Sequence, residues 1–149
     1  MKKILFISTR NPYLNRYSGD VIGSKKIINI LKKNSILDVV SLGDKKNFSK
    51  KNIFIFKKPF FLKIVFHALK SLIFLQPVQL GFFYSSEMKS FVNNNAINYD
   101  IIFFYHIRSS QYIPQNYDGE KIIEMGDLYS NNYYQTFKNL NIFNPLKYS

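Results

Sequence analysis

The chain has 149 residues, 46% of them hydrophobic, with no cysteine and a formal net charge of +12 at pH 7. This length indicates one globular domain, and the hydrophobic fraction excludes a largely disordered chain. The lack of cysteine excludes disulfides, thiolate metal sites and cysteine nucleophiles, and it fits a reducing cytoplasm.

The N-terminus and the basic charge each suggest a function that the residues do not support. The apolar run of residues 4–7 behind Met1-Lys2-Lys3 is too short for a signal peptide. Lysine heavily outnumbers arginine and is spread in pairs along the chain, whereas nucleic-acid interfaces favour arginine and basic clusters. We therefore predict no nucleic-acid partner, and an anionic membrane surface as a better partner for diffuse lysine charge.

The first two elements are the clearest in the chain. The apolar, β-branched and aromatic run of residues 3–8 predicts a buried strand. Turn-forming residues follow, and the apolar spacing of residues 21–33 then predicts a helix with Asp20 as its N-cap. The loop between them lies at the carboxyl end of the strand.

The middle of the chain predicts two more strands and an apolar helix. The strands cover residues 36–42 and 52–56, with a polar loop at 45–51, and the helix covers residues 60–75. Two interpretations of this helix remain open: its wide apolar face packs in the core, or it dips into a lipid interface. The candidate membrane contacts are Lys57, Lys58, Phe60, Phe61 and Lys63.

The last third continues the alternation. A helix starts at Ser85 or Ser86 and runs to residue 95, and a buried strand covers 100–105. Ser109 or Ser110 is predicted to cap a brief helix toward Tyr112. A loop at 114–119, a strand at 121–124 and a helix at 128–140 follow. Alternating strands and helices predict a doubly wound, three-layer α/β fold with a parallel sheet.

Polar segments follow the strands and are expected to share one edge of the sheet, where open α/β folds bind ligands. Gly19 to Lys26 resembles a phosphate-binding P-loop but has the wrong spacing. Two interpretations of Gly19 stay open: a helix N-terminus that favours a negative or polar ligand, or a glycine that permits a tight turn.

His106 directly follows the fourth strand, where an imidazole could act as a base toward a hydroxyl or as a structural residue. Glu124 and Asp127 follow the fifth strand, and either sugar binding or helix capping explains Asp127. No metal-ligand spacing is present, so we predict neither a metal nor a cofactor.

Several segments together resemble the opening of bacterial family 4 glycosyltransferases of GT-B fold, of the capsule and exopolysaccharide type. They are I-L-F-I-S-T-R-N-P-Y…S-G-D followed by a basic helix and L-D-V-V-S-L, then residues 76–83, 99–103 and 125–130. The resemblance covers residues 2 to about 137, and the order of the motifs makes it more specific than any one of them.

The resemblance implies the Rossmann-like, acceptor-binding half of a retaining transferase in surface polysaccharide synthesis. Its acceptor would be a sugar or lipid-linked glycan, and a C-terminal donor domain would bind the nucleotide-sugar. We expect residues 1–140 to form the acceptor domain and 141–149 to begin a linker. The chain would then be a truncated enzyme, an excised domain or one subunit of a split enzyme, inactive alone. The expected location is cytoplasmic, at the inner face of the cell membrane.

The resemblance implies a catalytic role for His106. The candidate acceptor-binding residues are Arg10, Ser18, Gly19, Asp20 and Asp127. The alternative hypothesis is a non-catalytic α/β module that recruits a partner protein or a membrane surface.

Overall fold

The computed structural model describes residues 1–14, 18–44, 47–60 and 82–125. The predicted helices at 60–75 and 128–140, with the tail at 141–149, therefore lie outside the described residues, Phe60 excepted. Among the residues that are described, no helix is long and apolar enough to cross a membrane.

One six-stranded sheet organises the fold. In chain order the strands are Lys3–Ser8 (β1), Ile36–Gly43 (β2), Asn47–Lys50 (β3), Ile53–Lys57 (β4), Ile101–Tyr105 (β5) and Glu120–Glu124 (β6). Their spatial order is β3-β4-β2-β1-β5-β6. All neighbours pair in parallel except β3, which is antiparallel to β4. The five parallel strands thus have the Rossmann-like order 3-2-1-4-5, which confirms the predicted fold class.

β3 corrects one prediction, since its residues were expected to belong to a polar loop at 45–51. Within the described ranges the strand has one backbone ladder, to β4, and lies at the edge of the sheet. An edge position does not require the apolar pattern that identifies a buried strand. Asn52 makes the reversal between β3 and β4 with a φ of 72°, a conformation that asparagine tolerates better than most residues.

Helices cover both faces of the sheet and complete three layers. Gly19–Asn34 (α1) contributes Ile28 to a core cluster with Phe6 and Val39 on one face. Ser86–Asn95 (α2) contributes Met88 and Val92 to a cluster with Leu5 on the other face. This arrangement confirms the doubly wound prediction. Two short 3-10 helices are Ala96–Asn98 (η1) and Ile107–Tyr112 (η2).

The helix starts were predicted with mixed success. Ser85 caps α2 as expected, because its hydroxyl accepts a hydrogen bond from the Met88 amide at 3.4 Å. Ser109 and Ser110 do not cap η2: they lie inside it, and their hydroxyls donate to the carbonyls of His106 and Ile107, each at 2.7 Å. A serine inside a helix commonly bonds backward in this way.

Candidate functional site

The carboxyl ends of three adjacent strands gather five charged or titratable side chains. The parallel register places Ser8 of β1 and Glu124 of β6 on either side of Tyr105 of β5. The residues that follow or end these strands, with the first turn of α1, form what we name the rim cluster: Arg10, Asp20, His106, Arg108 and Glu124.

Asp20 is the hub of the rim cluster. Its Oδ2 lies 2.8 Å from Arg10 Nη1 and 3.3 Å from Arg108 Nη2. The carboxylate also lies in the first turn of α1, where the helix dipole favours negative charge. The predicted N-cap role of Asp20 is wrong, because Ser18 occupies the N-cap position and makes no side-chain cap bond. The residue instead joins the β1–α1 loop to the segment after β5.

His106 lies between two carboxylates. Its Nε2 is 3.5 Å from Asp20 Oδ1, and its Nδ1 is 3.6 Å from Glu124 Oε2. Both separations exceed those of good hydrogen bonds. Within the described residues, His106 Nε2 and Glu124 Oε2 are accordingly buried without a hydrogen-bond partner. Arg108 Nε of the same cluster is a third such atom; because buried polar atoms are normally satisfied, the three indicate a candidate binding site.

The backbone of His106 is also unusual. Its φ of 65° and ψ of 151° lie close to a region that is essentially restricted to glycine. The Tyr105 ring packs against the imidazole with 4.1 Å between ring centroids, and the imidazole side chain is only 13% exposed. Strained backbone of this kind is concentrated at functional sites, because the surrounding structure must stabilise it.

Arg108 is the residue that the sequence analysis did not single out. Its side chain is 10% exposed, its guanidinium lies 4.9 Å from the centre of the Phe83 ring, and its Nε is buried without a partner among the described residues. Its ion-pair partner Asp20 is 88 residues away in the chain. The one available indication was its place in the segment expected at the rim after the fourth strand.

Two paired serines lie at or near the carboxyl ends of β1 and β2, and the first of them fixes the start of the loop after β1. The Ser8 hydroxyl donates to the Arg10 carbonyl at 2.7 Å and accepts from the Arg10 amide at 3.3 Å. This local ring sets the direction in which Arg10 leaves the strand. Ser41 is the register partner of Ser8 in β2, and its hydroxyl is buried without a partner in the described part of the chain.

The two glycines of the P-loop-like segment have different roles. A Cβ at Gly19 would meet no atom within 4 Å, and Gly19 has no positive φ, so this position does not need glycine for a tight turn. A Cβ at Gly23 would collide with the Tyr105 hydroxyl. Gly23 therefore permits the close approach of α1 to β5, and this contact brings Asp20 near His106.

The other predicted site residues do not all meet. Arg10, Asp20 and His106 lie together in the rim cluster, with Ser18 and Gly19 at the adjoining helix start. Asp127, Phe61 and Lys63 lie outside the described residues. For the membrane contacts, Phe60 is 70% exposed, and Lys58 pairs with Asp44 at 2.9 Å, which lowers the pKa of that carboxyl.

The charge balance of the rim cluster limits what it can bind. With a neutral imidazole, its two arginines and two carboxylates sum to a formal charge of zero. Carboxylates, an imidazole and an arginine can together accept and donate hydrogen bonds to a neutral polyhydroxyl ligand. The described ranges contain no group of three metal-ligating side chains.

Comparison with models of protein families and with curated proteins gives no match to this chain.

Proposed function

We propose that this chain is the acceptor-binding half of a nucleotide-sugar-dependent glycosyltransferase of GT-B type in bacterial surface polysaccharide synthesis. The single observation that best supports the proposal is the position of His106, which lies between Asp20 and Glu124 at the carboxyl edge of a Rossmann-like sheet. This edge is where open α/β sheets bind ligands. The order of the glycosyltransferase-like segments along the sequence is the basis for proposing a sugar or lipid-linked glycan as the acceptor.

In this proposal the imidazole of His106 contacts an acceptor hydroxyl and accepts its proton. A histidine side chain within reach of a hydroxyl can act as a general base in this way. Glu124 binds a second hydroxyl of the acceptor through its unpartnered oxygen. Asp20 remains paired to Arg10 and Arg108, and from this position it orients the imidazole. The nucleotide-sugar is bound elsewhere, by a donor domain in a longer chain or in a separate protein.

A non-catalytic binding module is the second candidate, and one observation favours it. Asp20 is already held by Arg10 and Arg108, as in a structural ion-pair network. In that case the rim cluster stabilises the loops and binds no sugar. The two candidates differ in whether a sugar contacts Glu124.

Two glutamates of β6 provide a matched test of sugar binding. Glu124→Gln changes the rim, whereas Glu120→Gln makes the same chemical change at the opposite end of the strand, where Glu120 pairs with Lys2 at 3.6 Å. Binding of simple sugars and short-chain lipid-linked sugars to the full chain would be measured by saturation-transfer NMR. Loss of a charged hydrogen bond predicts roughly 10-fold to 100-fold weaker binding for Glu124→Gln and no change for Glu120→Gln.

Nucleotide-sugars tested in parallel should not bind this chain. Tight nucleotide-sugar binding would contradict the division between acceptor and donor halves. Failure of every sugar to bind a folded wild-type chain would favour the non-catalytic module.

A further inference from the structure

The outer face of α1 concentrates positive charge. Val21, Ser24 and Ile28 face the sheet and are buried. The exposed surface of the helix, which also includes Asn29, contains the six residues that we name the α1 basic face: Ile22, Lys25, Lys26, Ile30, Lys32 and Lys33. The two lysine pairs are seven residues apart, which is close to two helical turns, so they project from the same side of the helix.

In the part of the chain that the structure describes, no acidic residue forms an ion pair with these lysines. The chain contains four lysines and no Asp or Glu between Asp20 and Asp38. Asp20 is committed to two arginines at the rim, and Asp38 is buried and accepts a hydrogen bond from the Tyr99 hydroxyl at 2.7 Å. Among the ion pairs of the described residues, none involves a lysine of this face. Their charges are therefore available to an external anionic surface.

Exposed apolar groups lie among these charges. Ile22 is 43% exposed and Ile30 is 64% exposed, although both belong to a helix whose sheet side offers apolar cover. Tyr13 is 36% exposed beside the face, with the Lys32 ammonium 5.8 Å from the centre of its ring. Lysines with neighbouring aliphatic and tyrosine side chains match the boundary between lipid headgroups and acyl chains.

We propose that the α1 basic face docks on an anionic lipid bilayer. The lysines contact lipid phosphates, and Ile22, Ile30 and Tyr13 enter the headgroup layer. A nucleic acid fits less well, because the face contains no arginine and its exposed isoleucines gain nothing from a polar phosphate backbone. This surface is distinct from Lys57 and Lys58, and the inference does not depend on the sugar-binding proposal.

Two double variants with the same change in net charge test the location. Lys26→Gln/Lys33→Gln removes two charges from the α1 basic face, and Lys2→Gln/Lys51→Gln removes two exposed charges elsewhere. Sedimentation would be measured with vesicles of phosphatidylcholine alone and with equal parts phosphatidylcholine and phosphatidylglycerol. Lys and Gln have similar helix propensities, so circular dichroism should show both variants folded.

The wild-type chain should bind the anionic vesicles and not the neutral ones. Each lysine at the surface corresponds to about fivefold in partitioning, so the α1 variant should bind roughly 25-fold more weakly, with the control close to wild type. Binding should also weaken strongly in about 1 M salt, where the Debye length is about 3 Å.

Three outcomes of the vesicle experiment would overturn the proposal. They are no binding of the wild-type chain to anionic vesicles, equal losses in the two double variants, and a loss confined to a third variant, Lys57→Gln/Lys58→Gln. Tighter binding to a duplex or single-stranded oligonucleotide, with the same sensitivity to Lys26 and Lys33, would also overturn it in favour of a nucleic-acid partner.

Discussion

His106 combines a left-handed φ with a side chain held between two carboxylates. A non-glycine residue in this region of backbone space costs about 1–3 kcal/mol, and packing in the rim cluster must offset that cost. His106 follows the last residue of β5 and precedes η2, so its backbone conformation turns the chain sharply between the two elements. The same turn places Arg108 beside Asp20.

The strain at His106 can be measured by comparing two substitutions. His106→Gly and His106→Ala both remove the imidazole, but only glycine relieves the backbone. We expect the glycine variant to be more stable than the alanine variant by about 1 kcal/mol or more in urea unfolding. At Lys33, inside α1, the order should be reversed, with glycine about 1 kcal/mol less stable than alanine. If the alanine variant is more stable than the glycine variant at both positions, the backbone of His106 is not strained.

The rim residues show how far local sequence patterns predict a site. Arg10, Asp20 and His106 were predicted to share one edge because each follows or faces the end of a predicted parallel strand. The pairing of Asp20 with Arg108 could not be predicted, since the two residues are 88 positions apart and no local sequence rule relates them. The N-cap assignment of Asp20 was wrong for the same reason. An acidic residue at a helix start is a common N-cap, but here Asp20 pairs with two arginines from other segments of the chain.

At the scale of elements, one tyrosine connects η2 to the start of α2. The Tyr112 hydroxyl is fully buried, accepts a hydrogen bond from the Ser85 amide at 2.9 Å and donates to the Phe83 carbonyl. The Lys89 ammonium reinforces the contact by donating to the carbonyls of Gln111 and Ile113 at 3.0 and 2.7 Å. These bonds position the Phe83 ring, which Arg108 contacts at the rim.

Tyr112→Phe should show how much the hydrogen bonds of the Tyr112 hydroxyl contribute to the free energy of unfolding. The ring still fills its place, but the Ser85 amide and the Phe83 carbonyl lose a partner in the interior. We expect the free energy of unfolding to fall by about 1–3 kcal/mol in urea titrations. Tyr13→Phe, which alters an exposed hydroxyl, should change it by less than about 0.5 kcal/mol. Similar effects of both changes would contradict a specific role for the buried hydroxyl.

The strands were predicted to different degrees for physical reasons. Strands β1, β2 and β5 contain apolar runs that central parallel strands require, so sequence patterns identified them closely. β3 has a single partner strand and no such requirement, and its polar residues matched a loop equally well. The ends of elements were less predictable, because the residue before η2 is a strained histidine that no propensity rule anticipates.

For the whole molecule, buried tyrosines make stability sensitive to alkaline pH. Burial raises the pKa of Tyr99 and of Tyr112 above the usual value, and the neighbouring Asp38 carboxylate raises that of Tyr99 further. Above a pH of about 10 the unfolded chain releases phenolic protons that the folded chain retains, so the folded state loses stability. This contribution is fully present below that pH and is lost progressively above it.

Parallel titrations of phenolate absorbance and circular dichroism would check this prediction. The chain has 11 tyrosines, and we expect the buried ones to ionise only as the secondary structure is lost. Tyr99→Phe should make stability fall less steeply above a pH of about 10. Complete ionisation of all tyrosines in a chain that stays folded would disprove the linkage.

The two margins of the sheet differ in kind. On one side the short, reversed β3 ends the ladder. On the other side β6 is parallel to its neighbour, and its Ile122 and Ile123, which point to opposite faces, are 37% and 38% exposed. A further strand would therefore pair more readily with β6 than with β3. It would extend the hydrogen-bonded ladder, and its apolar side chains would cover Ile122 on one face of the sheet and Ile123 on the other.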